Sequence, residues 1–202
     1  MADETFTLLP LQMDPQTKAI TASPSSAQLE KELMELNEAH RSILTLETPG
    51  QTPPPPVPIN PKRSAAINKL RESGNAAYKK GQHLEAHRFY TQAIDTALAR
   101  PGWEPSQLVR EELAMLYSNR AQAAMAMQSW GEAAVDAQTS VDMKRVQNAK
   151  AWWRRGRCLV EMGRIKEARE WVRQGLEFDS SEADLRALID EIEGLVARGK
   201  SD

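Results

Sequence analysis

The sequence predicts an all-α fold: three stacked helical hairpins closed by a capping helix, preceded by a small strand-and-helix piece and a proline-rich linker. Three observations predict it. Apolar residues recur with helical periodicity after residue 63, and small residues recur at fixed offsets in three copies. Upstream, seven of the thirteen residues from Pro49 to Pro61 are proline, which neither a helix nor a central strand accommodates.

The first part, residues 1–48, carries two strand-like stretches, FTLLPLQM and KAITA, around Asp14-Pro15. A helix follows from about Ser26 to Leu46, with Leu29, Leu33, Leu36, Ile43 and Leu44 as its apolar stripe. So small a piece is marginal alone, so its apolar faces are expected to rest on another subunit or on the domain that follows. Residues 49–62 read as an extended, semi-rigid spacer, with a proline-recognition ligand as the alternative.

In residues 63–202 the first copy places Gly74, Gly81, Ala86, Tyr90 and Ala93 at successive offsets. The second repeats them with Ala121, Gln128, Ala133, Ala137 and Ser140, and the third with Gly156, Gly163, Ala168, Val172 and Gly175. Small residues at these points let two helices of a hairpin approach closely, and each hairpin stacks on the next. This is the tetratricopeptide repeat pattern. The first two copies lie 47 residues apart and the second pair 35, so a longer connection with lengthened flanking helices is expected around RPGWEPSQLVRE. Beyond the third copy, a Ser-x-x-Asp signal at Ser181 opens a helix with Leu185, Leu188, Ile189, Ile192 and Val196 on one face.

Net charge is −2, which supplies no general attraction for nucleic acid or acidic membrane. Residues 144–173 nevertheless hold ten Lys or Arg against Glu161, Glu167 and Glu170, a local field that would draw anionic ligands. Within it Lys150 and Arg154 stand one helical turn apart, a repulsive spacing. The single cysteine, Cys158, rules out an intrachain disulfide and reads as core packing, a reactive thiol being the alternative. The amino terminus lacks the basic flank and apolar core of a signal peptide, and no stretch reaches eighteen apolar residues. Direct membrane insertion is not expected.

In hairpins of this kind the first helix of each copy lines a concave groove. Arg71 and Asn75 from the first copy, Asn119 from the second, and Lys150 and Arg154 from the third would converge there. Three cations and two amides suit a ligand with two carboxylates close together, as a chain-terminal Asp presents. Tyr78, Gln122 and Met125 are candidate contacts for residues upstream of that end, or packing between hairpins.

The arrangement resembles the two-carboxylate clamp of chaperone-binding tetratricopeptide proteins, and the segments LRESGNAAYKKG, LYSNRAQAAM and AKAWWRRGRCL carry the resemblance. It implies that these five residues hold the terminal carboxylates of a heat-shock chaperone ending in Glu-Glu-Val-Asp. Arg71 departs from the lysine more common there, which keeps the charge but alters the geometry. The strand-like piece, the spacer and PGWEP together resemble the tetratricopeptide subunits of fungal Sec complexes for post-translational translocation. That resemblance implies a non-enzymatic, peripheral protein on the cytosolic face of the endoplasmic reticulum. Its amino-terminal piece would be held by a membrane-anchored Sec subunit, and its groove would receive the tail of a seventy-kilodalton chaperone.

Two other classes remain open: a soluble cytosolic cochaperone, and a nucleic-acid binder using the basic segment. His83 and His87 stand four apart, but Glu85 does not complete a zinc-protease motif, so a solvated helix is the simpler reading. The five Trp read as packing between hairpins. No phosphate loop or catalytic triad spacing is present, and neither cofactor nor metal is expected.

Overall fold

The structure, a computed structural model, describes residues 9–46, 52–53, 55–56, 59 and 61–198. The chain divides into two compact units, residues 1–58 with 101–104, and residues 59–100 with 105–202.

In the first unit, strands β1 (Leu11–Met13) and β2 (Ile20–Ala22) pair antiparallel, with Leu11 opposite Ala22. Asp14 makes the turn, its Oδ1 accepting from the backbone N–H groups of Gln16 at 2.8 Å and Thr17 at 2.7 Å. These bonds hold its carboxyl below the usual range. Helix α1 (Ala27–Leu44) starts where expected, capped by Ser26, whose Oγ accepts from Leu29 N. The amide of Asn37 clamps strand to helix, donating to Ile20 O at 2.8 Å and accepting from Ile20 N at 2.7 Å. Of the predicted stripe, Leu33 is buried and Leu36 is exposed. The start of the first predicted strand and half of the predicted spacer lie outside the described residues.

The second unit is a run of antiparallel helices. The hairpins are α2 (Pro61–Lys79) with α3 (His83–Leu98), α4 (Ser106–Ala126) with α5 (Trp130–Met143), and α6 (Ala149–Glu161) with α7 (Ile165–Phe178). Helix α8 (Ala183–Arg198) packs on α6 and α7. Pro61 opens α2 at the first helical position, where a missing N–H costs nothing. The extra residues between the first two repeats go chiefly into α4, which has 21 residues against 13 in α6. Glu182 rather than Ser181 holds the capping position of α8, because the Glu182 carbonyl accepts the first helical bond, from Arg186 N.

Each hairpin turns through a left-handed residue at the same offset: Gly81 (φ 76°), Gln128 (φ 60°) and Gly163 (φ 74°). Glycine takes that conformation at no steric cost, whereas Gln128 does not. Inside the stack the small residues permit close approach. A Cβ on Gly156 would fall 2.5 Å from Val172 Cγ2 and 3.0 Å from Leu188 Cδ2.

The largest core cluster joins α5 through α8, around Val141, Trp152, Leu159, Trp171, Val172, Leu185, Leu188 and Ile192. Trp152 and Trp171 lie 4.2 Å apart, and the Trp171 indole N–H donates to Trp152 O at 2.8 Å. These two Trp are packing residues, as expected. Two ion pairs brace the remaining helices, the first between the first two hairpins and the second, part-buried, within the α4–α5 hairpin. Arg100 makes a bidentate bond to Glu112 at 2.9 and 2.8 Å, and Arg120 makes one to Asp136 at 2.7 Å twice. Among the described residues no helix is long and apolar enough to cross a membrane.

Candidate functional site

The first helices of the hairpins, α2, α4 and α6, present one face to a cavity of about 1210 Å³. Arg71, Tyr78, Asn119, Gln122, Met125, Lys150 and Arg154 all line it. Asn75 does not line it; it is half-buried, and its Oδ1 lies 3.5 Å from Asn119 Nδ2. Four of the five predicted clamp residues thus line one cavity, and the fifth, Asn75, reaches it only by its approach to Asn119.

Their environments differ. Lys150 is exposed and has no carboxylate partner among the described residues. Arg71 is half-buried, and its Nε is shielded without a hydrogen-bond partner. Arg154 is only 7% exposed. Its guanidinium donates through Nη1 to Ser118 Oγ and through Nη2 to Gln122 Oε1 at 2.8 Å. Both acceptors are neutral. Burial pushes its pKa down to about 10, opposed by Tyr78 and Tyr90, so it stays charged at neutral pH.

A buried cation ordinarily needs a paired anion. Arg100 and Arg120 have theirs in Glu112 and Asp136, while Arg154 is held by a hydroxyl and an amide. Ser118 and Gln122 stand one turn apart on α4, so both reach the same guanidinium. With five N–H donors and two engaged, Arg154 retains donors for a ligand.

The basic segment is less positive than its sequence. Arg157 pairs with Glu161 and Glu191, both at 2.8 Å. Arg164 pairs with Glu167, and Arg169 and Arg173 share Glu193. The cavity wall also carries Glu111, Asp179, Glu182 and Asp184, and among the described residues Arg71, Lys144, Lys150 and Arg154 are the groove cations without a close carboxylate partner. Lys144, Ser118 and Trp153 belong to this lining and were not singled out by spacing. Ser118 carries a readable signal, as the neighbour of Asn119 one turn before Gln122.

The remaining candidates are accounted for. His87 Nε2 lies 3.0 Å from Glu132 Oε1, and the His83 ring sits 5.0 Å from that of Tyr78. No cluster of metal-ligating side chains occurs among the described residues. Cys158 is fully buried, and burial pushes its thiol up to about 12, which removes the reactive-thiol alternative.

Residues 149–182, which span α6 and α7, match the tetratricopeptide repeat model. The chain is 35% identical over 126 residues to the ER protein translocation subcomplex subunit sec67 of Schizosaccharomyces pombe, a match covering 61% of this chain and 65% of that one. It thus spans just under two thirds of that relative's length. In structure it is similar to a chain of the Sec complex from S. cerevisiae, with a TM-score of 0.71 and 24% identity over 94% of this chain and 98% of that one. It is also similar to the second tetratricopeptide domain of human RPAP3, solved in complex with the HSP70 peptide SGPTIEEVD. There the TM-score is 0.55 and the identity 22%, over 65% of this chain and 98% of that one. Residues 149–182 thus carry a tetratricopeptide repeat, and the chain is similar to a subunit of an ER protein translocation subcomplex.

Proposed function

We propose that the groove clamps the free carboxyl-terminal end of a seventy-kilodalton heat-shock chaperone, and that this recruits the chaperone and its precursor to the endoplasmic-reticulum translocation machinery. The observation that carries the reading is Arg154, a buried guanidinium with neutral partners only. A ligand carboxylate would complete it. Lys150 and Arg71 would take the second carboxylate of a terminal Asp, and Asn119 with Asn75 would supply amide N–H groups. Gln122, held by Arg154, and Tyr78 and Met125 on the same wall offer surface for the residues upstream.

The chaperone peptide bound by the RPAP3 domain, SGPTIEEVD, has the required end. The pairing of Arg157, Arg164, Arg169 and Arg173 with glutamates argues against nucleic acid, which needs unneutralised cations in a row. The groove acts by binding alone, as a non-enzymatic receptor.

The address rests on residues 1–48, with residues 63–202 forming the receptor and 49–62 the spacer between them. In the first unit Leu11, Met13, Met34 and Leu36 are exposed, and a cleft of about 420 Å³ lies beside β2 and α1, lined by Ile20, Leu33 and Met34 among others. Leu33 is already buried, so these exposed side chains, with Leu9, are the ones available to a membrane-anchored Sec subunit. Similarity to sec67 favours this address, on the cytosolic face of the membrane, over that of a soluble cochaperone. Deleting residues 1–48 tests it. The truncated protein should leave endoplasmic-reticulum membranes in fractionated cells and still retain the chaperone from cytosol; a truncated protein that stays on membranes stripped of chaperone contradicts this division of labour.

A further inference from the structure

We infer that Tyr90, on the outer helix α3, is a positioning residue for the groove: its hydroxyl fixes the side-chain amide of Asn75 so that N–H groups, and not carbonyl oxygens, are offered to the ligand. The inference rests on the carboxylate-clamp reading above.

Tyr90 is 2% exposed and makes no direct approach to the cavity. Its ring lies against Gly74, where a Cβ would fall 2.6 Å from Tyr90 Cε1. The absence of a side chain at Gly74 therefore lets the ring pass beneath α2 to the next residue. There the hydroxyl donates to Asn75 Oδ1 at 2.7 Å. Asn119 Nδ2 approaches the same oxygen at 3.5 Å. Two donors thus converge on one atom of Asn75, an arrangement that suits an amide oxygen and not an amide nitrogen. Among the described residues Asn75 Oδ1 is the acceptor the buried hydroxyl has, so turning the amide over would leave the phenol proton unmatched.

The consequence reaches the groove through Asn119, which lines it while Asn75 does not. With Oδ1 engaged, Asn75 Nδ2 has no hydrogen-bond partner among the described residues, and Asn119 keeps a second N–H for the groove beyond the one directed at Asn75. A carboxylate accepts and cannot donate. An Asn75 free to turn over would present its Nδ2 to Asn119 and turn the Asn119 carbonyl oxygen toward the carboxylate part of the time. The Tyr90 hydroxyl blocks that turn from outside the binding surface.

A double-mutant cycle on the full chain, titrated calorimetrically with SGPTIEEVD, tests this. Tyr90→Phe retains the ring against Gly74 and removes only the hydroxyl. It should weaken the peptide about fivefold in the otherwise unchanged protein and less than about twofold in an Asn75→Ala background. In a Lys150→Ala background the full fivefold loss should persist. Equal losses in the Asn75→Ala and unchanged backgrounds, or no loss in the unchanged protein, would overturn the inference.

Should Tyr90→Phe not fold, the unsubstituted protein decides by NMR. The Asn119 side-chain N–H resonances should shift on adding the peptide, and resonances that stay fixed at saturation would overturn the inference. If Asn75→Ala, Lys150→Ala and Arg154→Met all leave affinity unchanged, the clamp itself is wrong, and the role of Tyr90 falls with it. Losses in those three without a loss in Tyr90→Phe remove the positioning role alone.

Discussion

Arg154 Nη2 donates to Gln122 Oε1 at 2.8 Å, and among the described residues no carboxylate shares that guanidinium. Its pKa, lowered by burial to about 10, marks a charge that the fold tolerates at a cost. Replacing it with an uncharged side chain of similar volume removes that cost. Arg154→Met should therefore weaken SGPTIEEVD binding at least about tenfold, while the thermal midpoint stays within a few degrees or rises. Calorimetry and a melt on the same sample decide it. A large drop in midpoint with binding retained would make Arg154 a structural residue.

The buried Arg100 ion pair predicts the opposite behaviour. Arg100 is almost fully enclosed and bonded bidentately by Glu112. Glu112→Ala would strip that enclosed cation of its bidentate carboxylate, and a loss of about 3–5 kcal/mol in denaturant titrations is expected. The contrast separates a cation whose counter-charge is internal from one whose counter-charge is the ligand.

Backbone geometry makes a third prediction, in two directions. Gln128 occupies the left-handed turn position that Gly81 and Gly163 fill in the other hairpins. Gln128→Gly should raise stability by about 0.5–1 kcal/mol, against the usual direction for a glycine substitution. Gly156→Ala should lower it by about 1–3 kcal/mol, because Val172 and Leu188 occupy the space. Urea midpoints at constant slope measure both.

Much of this was legible in the sequence, and the reason is local. Hairpin spacing, the small residues at Gly74, Gly156 and Gly175, and the convergence of Arg71, Asn119, Lys150 and Arg154 all follow from helical periodicity applied three times. Contacts between repeats were not legible. Ser118 and Gln122 reach Arg154 from 36 and 32 residues away, and Glu191 neutralises Arg157 across 34. A count of charges along the chain therefore overstated the basic field. The Asn37 clamp on Ile20 escaped for the same reason, since its two ends lie 17 residues apart.

Cys158 yields a pH prediction. Burial raises its thiol from an ordinary 9.0 to about 12, so the folded chain holds the proton that the unfolded chain releases. This contribution to stability is complete below pH 9 and is lost as pH rises from there toward 12. At pH 8 a thiol reagent should label the native protein about a thousandfold more slowly than the urea-unfolded chain. Comparable rates would contradict the buried position.

The central claim is that the groove reads a free carboxyl terminus, and amidation of the peptide end tests it most directly. Amidation removes one charge from SGPTIEEVD and leaves donors around Lys150 and Arg154 unmatched. Calorimetric titration of the full chain with the free and amidated peptides should differ by at least about tenfold, or about 1.4 kcal/mol. Equal affinities would contradict the clamp.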